Sequence, residues 1–131
     1  MKVLALDYGT ARTGVAISDE TGTLARPLAV VDRASSSGGL RRILQLSRDE
    51  RVDRIVVGMP ITLRGEHGAQ ARETAAFVAT LRAKTDLPVE TFDERFTTKL
   101  ARSGDASADE DAVAAAHLLD GYLTWSSDRH R

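Results

Sequence analysis

Three short apolar segments, separated by polar turn-forming residues, occupy the beginning of the chain. They cover residues 2–6, 12–18 and 24–31, and the intervening residues 7–10 and 19–22 are Asp-Tyr-Gly-Thr and Asp-Glu-Thr-Gly. Short apolar runs bounded by Gly, Asp and Thr are typical of strands joined by tight turns. The sequence therefore predicts that the fold starts with a meander of three antiparallel strands.

The rest of the chain alternates between helical and strand patterns. For example, Leu40, Ile43 and Leu46 recur at helical spacing, which predicts an amphipathic helix. The predicted elements are a helix at 39–51, a strand at 52–58, a helix at 69–84, a strand at 87–92, a short helix at about 97–102 and a final helix at about 107–125. The order βββαβαβα and the length of 131 residues predict one α/β domain over residues 1–125, followed by a frayed tail at 126–131.

The composition excludes several kinds of site. The chain has no cysteine, so it has no disulfides, thiolate zinc sites or cysteine nucleophiles. The apolar start stops at Asp7, and no run approaches the roughly 20 apolar residues of a membrane helix. We therefore expect a cytoplasmic protein.

The net charge of −1 argues mildly against a nucleic-acid-binding protein, because such proteins usually carry a basic face. The charge is unevenly distributed, however. Residues 1–65 contain 10 Lys and Arg against 7 Asp and Glu, whereas residues 66–131 contain 8 against 12. Arginines make up 15 of the 18 cations. Their guanidinium groups match phosphate oxygens, although arginine enrichment can equally reflect genome base composition.

Three acidic residues lie where predicted strands and the last helix begin or end. Asp7 closes the first strand, Glu94 follows the last strand, and Asp111 lies in the first turn of the last helix. In open α/β sheets, functional groups gather where strand ends meet helix starts. Carboxylates brought together there repel one another unless a cation lies between them, and Mg²⁺ or Mn²⁺ prefers such oxygen ligands. Two such ions support phosphodiester hydrolysis.

Each of these acids also has an ordinary structural explanation. Asp7 could cap a turn, Glu94 could pair with Arg95, and the acidic run 109–111 could complement the positive end of a helix. Spacing alone leaves these roles and the metal site open.

Other residue types carry weaker signals. His67, His117 and His130 share no metal-binding spacing, and His117 fits a structural role on the last helix. Tyr122 and Trp125 could stack on bases. We expect Tyr122 instead to pack into the core.

The first turn carries a motif with a known relationship. The segment 7–10 (Asp-Tyr-Gly-Thr), followed by Arg12 and Gly14, resembles the phosphate-contacting turn of the RNase H/actin-like superfold, in which glycines let backbone amides approach phosphate. Sugar kinases, actins and heat-shock ATPases share this motif, but they need two such domains around a nucleotide. Because 131 residues supply one, a minimal nucleotide-binding ATPase is the third-ranked interpretation.

Three further motifs follow along the chain, in the same order as in one known protein family. They are Val-Val-Gly-Met-Pro at 56–60 with glycines at 65 and 68, Asp-Glu-Arg-Phe-Thr-Thr at 93–98, and the helical segment 111–123. The chain resembles the YqgF/RuvX family, which comprises Holliday-junction-resolvase-like proteins that are also described as pre-16S rRNA nucleases. The resemblance extends over residues 3–123.

The resemblance implies an RNase H-like fold with a mixed five-stranded sheet, three antiparallel strands followed by two parallel ones, flanked by helices. It implies that Asp7, Glu94 and Asp111 are the acidic metal-binding and catalytic positions, with two Mg²⁺ or Mn²⁺ ions as the expected cofactor. The positions at which we expect substrate contacts are Gly9, Thr10, Arg12, Gly58, Pro60, Arg64, Gly65, Arg95, Thr97 and Thr98.

The function implied is that of a metal-dependent nuclease acting on structured nucleic acid. Such an enzyme would process the 5′ end of pre-16S rRNA, resolve branched DNA such as Holliday junctions, or do both. Its expected partners are nucleic acid and ribosomal particles, and symmetric cutting of a junction would require a homodimer. The chain departs from the family pattern at residues 99–110, which are short and acidic where a longer, often basic stretch is usual, and at Asp120, where Gln is usual. The short acidic segment favours the alternative, a nucleic-acid- or ribosome-binding module with weak or no catalysis.

Overall fold

The computed structural model describes residues 1–60, 68–93 and 108–129. Its elements are β1 (Val3–Asp7), β2 (Arg12–Ser18), β3 (Ala25–Asp32), α1 (Ser37–Asp49), β4 (Arg54–Met59), α2 (Ala69–Lys84), β5 (Val89–Asp93) and α3 (Ala108–Arg129). The predicted order βββαβαβα is confirmed. The short helix predicted at about 97–102 and the helix start predicted at 107 lie outside the described residues.

The five strands form one mixed sheet in the order β3-β2-β1-β4-β5. β2 pairs antiparallel with both β1 and β3, whereas β4 pairs parallel with both β1 and β5. This is the predicted sheet of three antiparallel strands followed by two parallel ones.

The side chains of β1 alternate between two hydrophobic cores, one on each face of the sheet. Leu4 and Leu6 belong to the cluster that contains Ile43 of α1 and residues of α2. Val3 and Ala5 belong to the cluster formed with α3. A central strand covered on both faces reads as a continuous apolar run, as the sequence of β1 does.

The aromatic residues of α3 pack against β5. Tyr122 is 2% exposed, so its predicted place in the core is confirmed. Its ring makes an edge-to-face contact with Phe92 at a centroid distance of 5.6 Å, and Trp125 lies 5.6 Å from the same ring. His117 is exposed on α3, so it does not contribute to the core.

Two helices have different bounds from those predicted. α1 begins at Ser37 rather than at residue 39, because the Ser36 hydroxyl accepts a hydrogen bond from the Gly39 N–H at 3.1 Å and caps the helix. α3 ends at Arg129 rather than at about residue 125. Even so, none of the helices in the described part of the chain is long and apolar enough to cross a membrane.

The strand β4 begins at Arg54, two residues later than predicted. Arg51 has a left-handed backbone with φ of 54°, and the Val52 N–H donates to the Ser47 carbonyl at 3.1 Å. These contacts belong to a helix C-terminal motif, so residue 52 completes the end of α1 instead of starting the strand.

One edge of the sheet collects the ends of the parallel strands. β1, β4 and β5 end there at Asp7, Met59 and Asp93, and the antiparallel strand β2 begins there at Arg12. We call this the carboxyl edge. Ligand sites of open α/β sheets lie outside this edge.

Candidate active site

Asp7 is a buried carboxylate at the carboxyl edge. It is the last residue of β1 and is 7% exposed. Since Val3 and Ala5 face α3, the alternation of the strand directs Asp7 to the same face. Burying an ionised carboxylate is costly unless charge or hydrogen bonds compensate it, so the position is one at which a cation would be stabilised.

Glycines stand beside Asp7 on both neighbouring strands. Gly14 of β2 lies directly opposite Asp7 in the antiparallel register. Gly58 of β4 lies one step beyond the Leu6–Val57 pair of the parallel register. Directly opposed residues share a face of the sheet, so neither neighbouring strand adds a side chain of its own beside the carboxylate.

Gly14 also brings Asp111 to the same place. A Cβ atom on Gly14 would lie 1.9 Å from the Asp111 carbonyl oxygen, so the first turns of α3 rest directly on β2. Asp111 is 6% exposed. Because Gly14 is the cross-strand partner of Asp7, this contact places the second predicted acid close to the first.

Arg12 forms an ion pair with Asp111. The distance from Arg12 Nε to Asp111 Oδ2 is 3.0 Å, the carboxylate side chain is 8% exposed and the arginine side chain is 37% exposed. The sequence predicted Arg12 as a phosphate ligand but not as a partner of Asp111. A guanidinium group has five N–H donors, so the contact with Asp111 uses only part of the hydrogen-bonding capacity of Arg12, whose role at the substrate phosphate stays a prediction.

The geometry of the β1–β2 turn requires a glycine at position 9. A Cβ atom on Gly9 would lie 2.4 Å from the Arg12 carbonyl oxygen, and the Gly9 N–H donates to Thr13 Oγ1 at 3.3 Å. The Thr10 hydroxyl donates to Glu73 of α2 at 3.2 Å. These contacts fix the turn next to Arg12, and the substrate roles of Gly9 and Thr10 remain predictions.

The end of β4 lies at the same edge. Met59 pairs in register with Asp93, the last residue of β5, and Pro60 follows directly. Gly58 and Pro60 are therefore beside the carboxylate site, as a substrate-facing role would require.

The other predicted site residues lie outside the described residues: Arg64, Gly65, Glu94, Arg95, Thr97 and Thr98. Within the ranges 1–60, 68–93 and 108–129, no group of three or more His or acidic residues is placed to hold a metal ion. The structure thus places two of the three predicted acids, Asp7 and Asp111, on either side of Gly14. The metal-binding roles of all three acids stay predictions.

Sequence reasoning missed the packing role of Gly14. The motif suggested a backbone that approaches phosphate, whereas the structure shows a backbone that approaches Asp111. A glycine inside an otherwise apolar strand often marks the close approach of another backbone, and this was the available signal.

Comparison with known proteins identifies the family to which this chain belongs. The sequence profile of a family described as RuvX, Holliday junction resolvase, matches residues 1–125. The chain belongs to the RuvX family. A relative from Rubrobacter xylanophilus is 44% identical over an alignment of 130 positions, which covers 93% of this chain and 91% of the relative. A relative from Desulforudis audaxviator is 39% identical over an alignment of 132 positions, which covers 94% of each protein. Both are named as pre-16S rRNA nucleases.

Solved structures agree with the RuvX assignment at the level of the fold. The RuvC protein of T. thermophilus, in complex with a Holliday junction substrate, superposes with a TM-score of 0.59 at 18% identity and covers 97% of both chains. The predicted RNase H-like fold is confirmed by this likeness. The names of the relatives and the resolvase fold together support a nuclease.

Proposed function

We propose that this RuvX chain is a divalent-metal-dependent nuclease that hydrolyses phosphodiester bonds in structured nucleic acid. The substrates we propose are the 5′ end of pre-16S rRNA and branched DNA such as a Holliday junction. The observation that carries the proposal is the placement of two buried acidic residues at Gly14: Asp7 is its cross-strand partner and the backbone of Asp111 packs on it.

The residues present fit a divalent cation. Asp7 and Asp111 are both less than a tenth exposed, and carboxylate oxygens are the ligands that Mg²⁺ and Mn²⁺ prefer. The guanidinium of Arg12 against Asp111 shows that this carboxylate already attracts a positive charge. Asp7, Asp111 and Glu94 would hold the metal, and we propose two ions. When bound, the metal supplies Lewis-acid stabilisation of charge on the phosphate and promotes ionisation of the attacking water.

The residues around the carboxylates would position the substrate. Arg12, Arg64 and Arg95 would neutralise the negative charge of the substrate's phosphate groups. Substrate loops would be formed by Gly9, Thr10, Gly58, Pro60, Gly65, Thr97 and Thr98. Gly58 adds no side chain beside Asp7 on β4, where a phosphate could approach, whereas the Asp111 backbone covers Gly14 on β2.

The test is cleavage of a matched panel by wild type and Asp7→Asn. The panel contains a pre-16S rRNA 5′-end fragment, single-stranded RNA and DNA, and a four-way DNA junction, each assayed with Mg²⁺, with Mn²⁺ and with EDTA. We expect wild type to produce metal-dependent products and Asp7→Asn to produce none. Asp49→Asn is the matched control, because Asp49 is exposed on the far end of α1.

Two results would contradict the proposal. Cleavage by Asp7→Asn at the wild-type rate would remove Asp7 from the reaction. Saturable binding by wild type without any metal-dependent product would identify the chain as a binding module. A solution mass measurement, made alongside, decides whether a junction-cutting homodimer forms.

A further inference from the structure

A row of exposed arginines follows one helix. We call it the α1 arginine strip, and all of its side chains are exposed. It consists of Arg33, Arg41, Arg42, Arg48 and Arg51. The opposite side of α1 is buried through Leu40, Ile43 and Leu46, so the strip is the solvent face of an amphipathic helix.

The strip starts at the carboxyl edge, but α1 lies on the face of the sheet opposite to the one that Asp7 and α3 share. The Arg33 N–H donates to the Ala11 carbonyl at 2.9 Å, and Ala11 directly precedes Arg12 at the carboxyl edge. α1 has 13 residues, a length of about 20 Å. At its other end, the Asp53 N–H donates to the Lys2 carbonyl at 2.8 Å, next to the start of β1. The strip therefore runs from the carboxyl edge to the opposite edge of the sheet, and a nucleic acid bound at Asp7 would reach it by passing over the carboxyl edge.

Positive charge dominates along most of this path. Across the described ranges of the chain, no ion pair within 4.0 Å involves any of the five arginines. Asp32 and Asp49 are exposed nearby, whereas Glu50 is engaged by Lys2 at 3.6 Å and by Arg26 at 3.9 Å. The five cations thus face four exposed acids, but three of these, Glu20, Asp49 and Asp53, line one depression around Arg51 at the far end. Between Arg33 and Arg48 the cations outnumber the acids.

The two outer arginines hold an unfavourable backbone. Arg33 has φ of 48° and Arg51 has φ of 54°, in the left-handed region that disfavours residues with a Cβ atom. Arg51 occupies the helix C-terminal position at which glycine is most common. Glycine would relieve the backbone strain at both ends of the strip, but it would remove the positive charge. The presence of arginine at these two positions is therefore consistent with a role for that charge.

We propose that the α1 arginine strip binds the phosphate backbone of the nucleic acid as it leaves the carboxylate site. This inference rests on the proposed nuclease function. Guanidinium groups pair with phosphate oxygens without reading base sequence. The length of about 20 Å matches about six base-pair steps at 3.4 Å each. The strip would therefore fix the direction of one substrate arm and contribute affinity rather than sequence specificity.

The first experiment compares two double variants of equal charge. Arg41→Gln/Arg48→Gln removes two cations from the strip, and Arg72→Gln/Lys84→Gln removes two exposed cations from α2. Binding is measured by fluorescence anisotropy in an Asp7→Asn background, using the panel substrate that this background binds most tightly, with duplex arms of about 20 base pairs. We expect the strip variant to bind about tenfold more weakly at about 100 mM salt, with its log–log salt slope reduced by about two, and the control to change much less.

The length of the substrate's duplex arms distinguishes binding to the strip from binding at the carboxylate site. With arms shortened to about three base pairs, the substrate cannot follow α1 over its length of about 20 Å. We then expect wild type and Arg41→Gln/Arg48→Gln to bind alike. An equal loss for both arm lengths, or an equal loss in the α2 control, would overturn the proposal in favour of a general charge effect.

Arg51→Gly tests the strain at the end of the strip. Glycine suits the left-handed backbone, so we expect a higher Tm together with weaker binding of the long-armed substrate. A higher Tm with unchanged binding would show that Arg51 does not contact the substrate.

The two proposals fail in different ways. If wild type cleaves the panel and the strip variant binds long arms as wild type does, the nuclease function stands and the strip is overturned. If wild type yields no metal-dependent product on any substrate, the proposed function has failed. A strip variant that then still loses affinity specifically for long arms would keep the strip as a nucleic-acid contact.

Discussion

A Cβ atom on Gly14 would lie 1.9 Å from the carbonyl oxygen of Asp111. These two residues therefore pack together only because position 14 has no side chain. Gly14 is also the cross-strand partner of Asp7, so the close packing of α3 on this glycine brings the Asp111 backbone next to the strand position opposite Asp7. The candidate site depends on a packing contact as much as on the acids themselves.

Gly14→Ala should damage both the fold and the site. The added methyl group must push α3 away from β2, and overpacking of this kind costs about 1–3 kcal/mol. We expect a lower free energy of unfolding in urea and, in the protein that remains folded, weaker Mn²⁺ binding by calorimetry. Gly38→Ala is the control, because a Cβ atom there meets nothing within 4 Å and alanine favours the helix. Equal stability of the two variants would show that α3 can shift without cost.

Arg12→Gln should make stability depend more strongly on metal. The Asp111 side chain is 8% exposed and loses its cationic partner in this variant, which we expect to cost about 1–3 kcal/mol. A divalent ion at the same carboxylate would restore the balance of charge, so the rise in Tm on adding Mn²⁺ should be larger for Arg12→Gln than for wild type. Arg26→Gln, whose exposed side chain pairs with Glu50 at 3.9 Å, is the control. If Mn²⁺ raised the Tm of all three proteins equally, the metal would not be interacting with Asp111.

The elements of the fold could be predicted because local pattern determines them. The apolar runs of the strands and the helical spacing of Leu40, Ile43 and Leu46 survive in the structure. Element ends were less predictable, because they depend on backbone hydrogen bonds such as the one from Val52 to Ser47. No periodicity in the sequence records those contacts.

The site was predictable in its residues but not in its contacts. Asp7 and Asp111 follow from strand and helix ends, and the family motifs identify the same positions. The ion pair of Arg12 with Asp111 could not be derived, because the two residues are far apart in the sequence and meet only through the packing of α3 on Gly14. A pairing of this kind is decided by tertiary structure, which sequence spacing does not encode.

Tyr122 should make the fold sensitive to alkaline pH. Its hydroxyl accepts from Arg54 Nη1 at 2.8 Å and donates to Glu90 at 3.2 Å. Burial and the negative charge of Glu90 raise the pKa of Tyr122 above its ordinary value of 10.0, against the lowering effect of Arg54. The unfolded chain then loses its proton first, so the stabilisation is complete below about pH 10 and is lost as the pH rises further.

Two variants check this alkaline dependence. Tyr8→Phe leaves Tyr122 as the one tyrosine of the sequence, so its ionisation can be followed by ultraviolet absorbance and should have its midpoint above 10.0. Tyr122→Phe should lower the free energy of unfolding by about 1–2 kcal/mol at neutral pH and lose less stability than wild type between about pH 9 and pH 11. A midpoint at or below the ordinary value would contradict the structure of this cluster.

Asp19 should make the β2–β3 turn sensitive to acid. Its carboxylate accepts hydrogen bonds from the hydroxyls of Thr21 and Thr23 and from the N–H groups of Thr23 and Leu24. These bonds, that of Thr21 first, hold the pKa of Asp19 below its ordinary value of 3.8. The stabilisation is present above that value and is lost as the pH falls through the lower pKa of the folded state.

Asp19→Asn should therefore be less stable than wild type at pH near 7, with a smaller difference near pH 2. The free energy of unfolding is measured in urea at both pH values, with Asp49→Asn as the exposed control. If the stability difference between Asp19→Asn and wild type did not change with pH, the charge of Asp19 would not stabilise the turn.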